Sequence, residues 1–368
     1  MTARAAIVQD WFFTPGGAEQ VAYEFVDLLP SAEVYTTFAD DPVLARLGPR
    51  LHTWPFQRLF PGSRAFRRFL PIYPLWFSAL DLRGFDLVIS SSSAFAKGVR
   101  TRKRSLHIAY VHTPMRYAWD LEGYLAGSSF SRGSRLAARM VRPLLRRWDR
   151  ATASRPDVLI ANSEAVRDRI RRFWGRDADV IHPPVTISDI SVSKRDDGFL
   201  LVVARLLAYR RIDLAVDAAT RLGRDLVVIG EGPEAARLRE RAGPTVRFLG
   251  AVGRAAVVDH MERCHAYVVP GEEDFGIAPV EAMAAGKPVI ALRAGGALET
   301  VVEGPTGVFF DEPTVESLVG AIQRADAMTF DANAIRVNAE RFGPSVFRQR
   351  MILLFQRVGV NPALYRAP

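Results

Sequence analysis

From residue 199 to 292 the chain alternates short β-rich runs with amphipathic stretches, and no other feature limits its fold as strongly. Residues 199–204, 225–230, 246–250, 266–269 and 288–292 read as strands; 212–220, 234–242, 257–262 and 279–285 read as the helices between them. A helix between two strands makes a crossover joining parallel neighbours, whereas a hairpin needs a turn of a few residues. The expected architecture is α/β, a doubly wound parallel sheet with helices on both faces. Ligands of such sheets bind at the carboxyl ends of the strands.

The N-terminal half keeps the same rhythm less regularly. Residues 5–8 form a β-rich run, followed by Gly16 and Gly17 and a helical pattern with Val21, Ala22, Phe25, Leu28 and Leu29 on one face. Residues 85–90, 105–112 and 158–162 read as further strands, and 164–173 as a helix. At His182-Pro183-Pro184-Val185 the prolines bar both helix and central strand, marking an interdomain connection. A length of 368 residues suits two domains. They are expected at 1–185 and 186–340, with 341–368 a helical segment returning towards the first.

Charge separates the halves. Residues 1–185 hold 27 Lys+Arg against 17 Asp+Glu, and the remainder 22 against 23. The positive field favours phosphates, acidic lipid or nucleic acid as partners. It coincides with two segments that mix arginine with apolar residues. One holds Arg64, Phe66, Arg67, Arg68, Phe69, Ile72, Tyr73, Trp76 and Phe77; the other holds Arg135, Arg139, Arg142, Arg146, Arg147 and Arg150 among Leu136, Met140, Leu144, Leu145 and Trp148. Such segments suit an anionic membrane surface, and equally suit helices packed on a sheet with arginines directed outward. The lone Cys264 excludes an internal disulfide and fits a cytoplasmic protein. The opening residues do not read as a signal peptide, and no stretch of about 18 apolar residues is present.

The most informative motif runs from Gly271 to Gly286, GEEDFGIAPVEAMAAG. It follows a strand, forms a glycine-containing loop and enters a helix with Pro279 in its first turn. Loop amides and a helix N-terminus together make an anion site. Glu273 in the loop and Glu281 in the helix are separated by seven residues. Upstream, Arg205 and Arg210 lie between a strand and the next helix, and Val111-His112-Thr113-Pro114 follows another strand.

Together these motifs resemble retaining GT-B glycosyltransferases of family four, which include sucrose-phosphate synthases and polysaccharide-assembly mannosyltransferases. The resemblance runs over nearly the whole chain and is weakest at 40–80 and 121–155. It implies two Rossmann-like domains facing across a cleft, and sugar transfer from a nucleotide-diphosphate donor. It assigns Arg205 and Arg210 to the diphosphate, the latter standing where the family has lysine. It assigns Glu273 to sugar hydroxyls, Glu281 to the donor ribose, and Phe275, Gly276 and Ile277 to the donor loop. Gly16 and Gly17 match its first glycine-rich loop, His112 its sugar-contacting histidine, and Gly232 the Gly-x-Gly-Pro turn near the nucleotide. The subfamily it most resembles moves mannose from GDP-mannose to a lipid-linked saccharide. No metal or other cofactor is expected.

Three other signals carry less. Gly230-Glu231-Gly232-Pro233-Glu234-Ala235 fits a dinucleotide fingerprint, but the following strand ends in Phe248-Leu249-Gly250 without the acidic residue that binds ribose. Asp177-Ala178-Asp179 reads as a solvated turn before a strand, not as a metal motif. His260, Cys264 and His265 read as packing residues. The alternatives are a GT-B epimerase that transfers nothing and, with no stacking or groove-reading module in view, a basic nucleic-acid-binding protein.

Overall fold

The computed structural model describes residues 3–13, 16–58, 69, 72–125 and 132–366; Thr14, Pro15, Arg64, Phe66, Arg67 and Arg68 lie outside them. The chain divides into two compact units, residues 1–119, 139–184 and 344–368 in unit 1 and residues 120–138 and 185–343 in unit 2.

The elements up to the crossover at residue 185 are, in chain order, β1 (Ala5–Gln9), α1 (Gly17–Leu28), β2 (Glu33–Thr36), α2 (Asp41–Leu47), β3 (Leu51–Thr53), α3 (Tyr73–Ala79), β4 (Leu87–Ser92), β5 (Leu106–Val111), α4 (Arg116–Trp119), α5 (Leu121–Leu125), α6 (Arg132–Thr152), β6 (Val158–Ala161), α7 (Glu164–Trp174) and β7 (Asp179–Val180). The described strands of unit 1 form one sheet in the order β3-β2-β1-β4-β5-β6-β7, and every pairing is parallel. Every residue of β1 and β4 is buried, because a central parallel strand is covered on both faces and cannot alternate apolar with polar. Helix α7 shows why the boundaries fall where they do. Ser163 accepts from the Val166 N–H at the start, and Gly175 closes the end at φ 68°, a conformation glycine adopts without strain.

Unit 2 continues with β8 (Leu200–Val203), α8 (Ile212–Leu222), β9 (Leu226–Ile229), α9 (Ala235–Arg241), β10 (Val246–Gly250), α10 (Arg254–Arg263), β11 (Ala266–Val269), α11 (Ile277–Ala284), β12 (Val289–Leu292), α12 (Ala297–Thr300), β13 (Gly307–Phe310), α13 (Val315–Asp326) and α14 (Ala332–Glu340). Its sheet is parallel throughout, in the order β10-β9-β8-β11-β12-β13, with an apolar cluster on each face. The last helix, α15 (Pro344–Arg357), belongs to unit 1, where Phe347, Met351 and Phe355 share a core with Ile7, Phe25 and Tyr110.

One feature differs from a simple division at residue 185, and a second divides an aromatic segment. Residues 120–138 group with unit 2, where α5 packs against the turn Ala208–Arg210. The aromatic segment near residue 73 is divided in use: Tyr73 and Phe77 are fully buried core residues, while Ile72 and Leu75 are exposed. Strand order reverses between β1 and β4 in the first sheet and between β8 and β11 in the second. These are the switch points at which doubly wound sheets bind ligands.

Candidate active site

The switch point of unit 2 gathers the predicted residues. Arg205 and Arg210 lie on the segment after β8, and Glu273, Phe275 and Gly276 on the segment after β11. Arg210 Nη1 and Glu273 Oε1 form an ion pair across the gap between these two strand ends, both side chains being largely covered. A small pocket opens there, lined by Val202, Ala204, Arg210, Tyr267, Gly271 and Glu273. Arg210 Nε is a buried donor without a hydrogen-bond partner among the described residues. The Arg205 side chain is exposed at the same strand end.

Close approach of loops builds this corner. Gly276 sits at φ 91° and starts α11, whose first-turn amides carry the positive end of the helix dipole. A Cβ on Gly232 would collide with the Leu206 carbonyl, so glycine there lets the turn after β9 lie on the segment after β8. Leu206 N–H donates to the Glu231 carbonyl at 2.9 Å, and Glu234 N–H to the Leu206 carbonyl at 3.1 Å. The loop after β12, unremarked in the sequence, braces the loop after β11: Gly296 N–H donates to the Glu273 carbonyl at 2.9 Å. The signal for it was the Gly295-Gly296 pair directly after a strand.

Glu281 lies inside α11, with its carboxylate oxygen Oε1 2.5 Å from Arg254 Nη1. Burial pushes its carboxyl above the ordinary carboxylate range, and Arg254 opposes that shift. Glu273 and Glu281 therefore meet different arginines.

In unit 1, His112 follows β5 and is buried, with Nε2 2.8 Å from the Ser91 hydroxyl on β4. Gly16 and Gly17 open α1. A Cβ on Gly16 would strike the Glu19 carboxyl. That carboxyl turns back onto the amides of its own residue, Phe13 and Gly16, and burial raises it to about 7. The glycine-rich turn thus accommodates a residue of the chain itself. At the unit 1 switch point stands Asp10, which the sequence did not single out. Its carboxylate accepts from the amides of Ser93, Ala94, Phe95 and Ala96 at 2.5–2.8 Å, locking the loop after β4 to the end of β1.

The lesser signals resolve as structure. Asp177 pairs with Arg171, while Asp179 belongs to β7 and pairs with Arg357. His260 meets the Ala256 carbonyl and Cys264 is buried, as packing residues are; His265 instead bridges Asp196 and Asp326. Among the described residues, no three His, Cys, Asp or Glu side chains are grouped to hold a metal ion.

Comparison with known proteins agrees with this architecture. The model of glycosyl transferases group 1 matches residues 186–341, and that of glycosyltransferase family 4 matches residues 15–189. A GDP-mannose-dependent alpha-mannosyltransferase of Mycolicibacterium smegmatis is 30% identical over 273 residues, spanning 72% of this chain and 70% of that protein. The Mycobacterium tuberculosis protein of the same name is 28% identical over 71% of this chain and 69% of its own length. Anabaena Alr3699/HepE, solved with UDP, superposes with a TM-score of 0.70 at 20% identity, covering 96% of this chain and all of that one. With two parallel Rossmann-like sheets and these matches, the chain belongs to the family-four glycosyltransferases of GT-B fold.

Proposed function

We propose that the protein transfers mannose from GDP-mannose to a lipid-linked saccharide, with retention at the anomeric carbon. The observation that carries the reading is the corner where β8 and β11 end, with two arginines, a carboxylate and a helix N-terminus at one switch point. Arg205 and Arg210 neutralise the diphosphate, where negative charge grows as the sugar departs. Glu273 steadies Arg210 and takes sugar hydroxyls, beside the backbone of Phe275, Gly276 and Ile277. Glu281 takes the ribose, and Gly232 keeps the neighbouring turn close to the nucleotide. On the acceptor side, Gly16 and Gly17 let the backbone of their turn approach the donor while Glu19 occupies its interior, and His112 contacts the sugar. The acceptor hydroxyl attacks on the face the diphosphate leaves, and the departing phosphate oxygen takes its proton.

The donor and the metal question are tested together. In EDTA, GDP-mannose at about a hundred times its Kd stabilises the folded chain by ~2.7 kcal/mol, raising Tm by several degrees. UDP-glucose is the comparison, since a solved neighbour carries UDP. Transfer to a lipid-linked acceptor persists in EDTA. A larger shift with UDP-glucose would replace the mannose assignment; loss of transfer in EDTA with recovery in Mn²⁺ or Mg²⁺ would overturn the metal-free site.

A lipid-linked acceptor has to be met at a membrane, and none of the described helices is long and apolar enough to cross one. Helix α6 supplies a surface to lie on it. Leu136, Met140 and Leu144, spaced one turn apart, are 60–74% exposed, and Arg139 and Arg147 are exposed beside them. Arg142 and Arg146 are spent on the fold, each donating to the Ala118 carbonyl. Each basic residue near an acidic leaflet contributes about 1 kcal/mol, and the apolar ridge adds burial. The protein is expected to sediment with acidic and not neutral vesicles, less so as salt rises. Met140→Glu with Leu144→Glu abolishes this without changing Tm; a wild-type protein that ignores acidic vesicles at low salt removes the membrane from the reading.

A further inference from the structure

Arg254 is the first residue of α10, and nothing in the sequence marks it except that it follows Gly253. Its guanidinium makes four hydrogen bonds. Nε donates to Asp189 Oδ2 at 2.8 Å and Nη2 to Asp189 Oδ1 at 3.1 Å. Nη2 also reaches the Thr186 carbonyl at 3.3 Å, and Nη1 donates to Glu281 Oε1 at 2.5 Å. Three of the four contacts do not involve Glu281. The fork is fixed by the segment that leads into unit 2, and Glu281 receives it.

We propose that Arg254 is a positioning residue for nucleotide recognition: held by Asp189 and Thr186, it keeps the Glu281 carboxylate charged and turned towards the donor's ribose hydroxyls. This rests on the reading of Glu281 given above. Glu281 is buried, on a helix α11 whose Pro279, Val280, Ala282, Met283 and Ala284 are buried as well. A carboxylate so placed and left without a partner would protonate or turn away. A protonated carboxyl is a donor where two hydroxyls need acceptors. The arginine meets one oxygen, Oε1, and a carboxylate has about four lone-pair sites, so capacity for a diol remains. Lysine cannot substitute, because a single ammonium cannot bridge Asp189 in two places while also reaching Glu281.

The test separates ribose recognition from general loss of affinity. Of GDP and UDP, whichever raises the Tm of the wild-type protein more is titrated calorimetrically, together with its 2′-deoxy and 3′-deoxy forms. Wild type is expected to prefer the ribonucleotide on the order of tenfold to a hundredfold. Glu281→Ala loses that preference. Arg254→Ala loses it too, while affinity for the deoxy forms stays within about threefold, and Arg254→Lys behaves like Arg254→Ala rather than like wild type. Should Arg254→Ala fail to fold, Asp189→Asn loosens the same fork from its other side and lowers the preference in part. Equal weakening of ribo and deoxy forms by Arg254→Ala would overturn the inference, since a structural or purely electrostatic role acts on both alike. If Glu281→Ala keeps the preference, the ribose reading falls and takes this inference with it. If neither GDP nor UDP binds the wild type, the donor reading itself has failed.

Discussion

Arg205→Ala is expected to lower turnover by about 10²–10³-fold while leaving the fold intact. The side chain is exposed where β8 ends, and among the described residues it makes no hydrogen bond or ion pair that ties one element to another. Truncating such a residue usually changes stability by less than about 0.5 kcal/mol. Its proposed work comes late in the reaction, when negative charge gathers on the leaving diphosphate. Loss of a donor aimed at that charge costs about 3–4 kcal/mol of barrier. The fall should appear mainly in kcat, with a smaller rise in KM for the donor. Arg205→Lys keeps the charge, loses the planar fork and should fall between the two. Arg210→Ala is the less clean probe, since it also strands Glu273. Initial rates under saturating donor, with Tm measured in parallel, decide the matter. A folded Arg205→Ala variant with near-normal turnover would show that the diphosphate lies elsewhere.

Residues 199–292 were legible because their strands and helices are short, regular and separated by glycine-bearing loops, while β13 and the helices α12 to α14 beyond them were not read. Strand ends shifted by one or two residues, as at β12, where 288–292 became Val289–Leu292. The corner where β8 and β11 end was legible for the same reason: Arg205, Arg210, Glu273 and Gly276 all follow strand ends, where sequence order and spatial order coincide. What stayed hidden depends on contacts between distant segments. Asp10 belongs to no motif, yet it holds four amides more than 80 residues away. Arg254 carries no signal of its own, and its partners Asp189 and Glu281 stand 65 and 27 residues away.

The arginine-rich stretch at 132–152 shows why composition could not choose between its two readings. It forms the single helix α6, with one packed and one exposed face. Leu145 and Trp148 pack towards the core, Arg142 and Arg146 reach the Ala118 carbonyl, and Leu136, Met140 and Leu144 face outward. A helix has room for two faces of different purpose, and seven arginines in a row of letters do not say which face each one joins.

Asp149→Ala is expected to destabilise unit 1 by about 3–5 kcal/mol, the cost of breaking a buried ion pair from one side. Asp149 anchors α6. Its Oδ1 lies 2.5 Å from Lys97 Nζ, and its Oδ2 accepts from the indole N–H groups of Trp119 and Trp174, each at 2.7 Å. Both charged side chains are sealed from solvent, at 1% and 0% exposure. Lys97 also donates to the Ala94 carbonyl at 3.0 Å and lies over the rings of Trp148 and Trp174. Removing the carboxylate leaves an ammonium and two indole donors in the core without their acceptor, whereas removing both charges leaves only the two neutral indole donors. Lys97→Met with Asp149→Leu should therefore recover part of the loss. Asp149→Asn should fall between, since its amide nitrogen cannot accept from an indole. The measurement suits this chain, because all six tryptophans lie between residues 11 and 174, within unit 1. Tryptophan fluorescence in urea follows that unit, while circular dichroism follows both. The fluorescence midpoint should drop sharply in Asp149→Ala and partly return in the double variant. A loss below about 1 kcal/mol would mean that the network is solvated and that α6 is held by its apolar contacts alone. The exposed ridge proposed to meet the membrane would then ride on a much looser support.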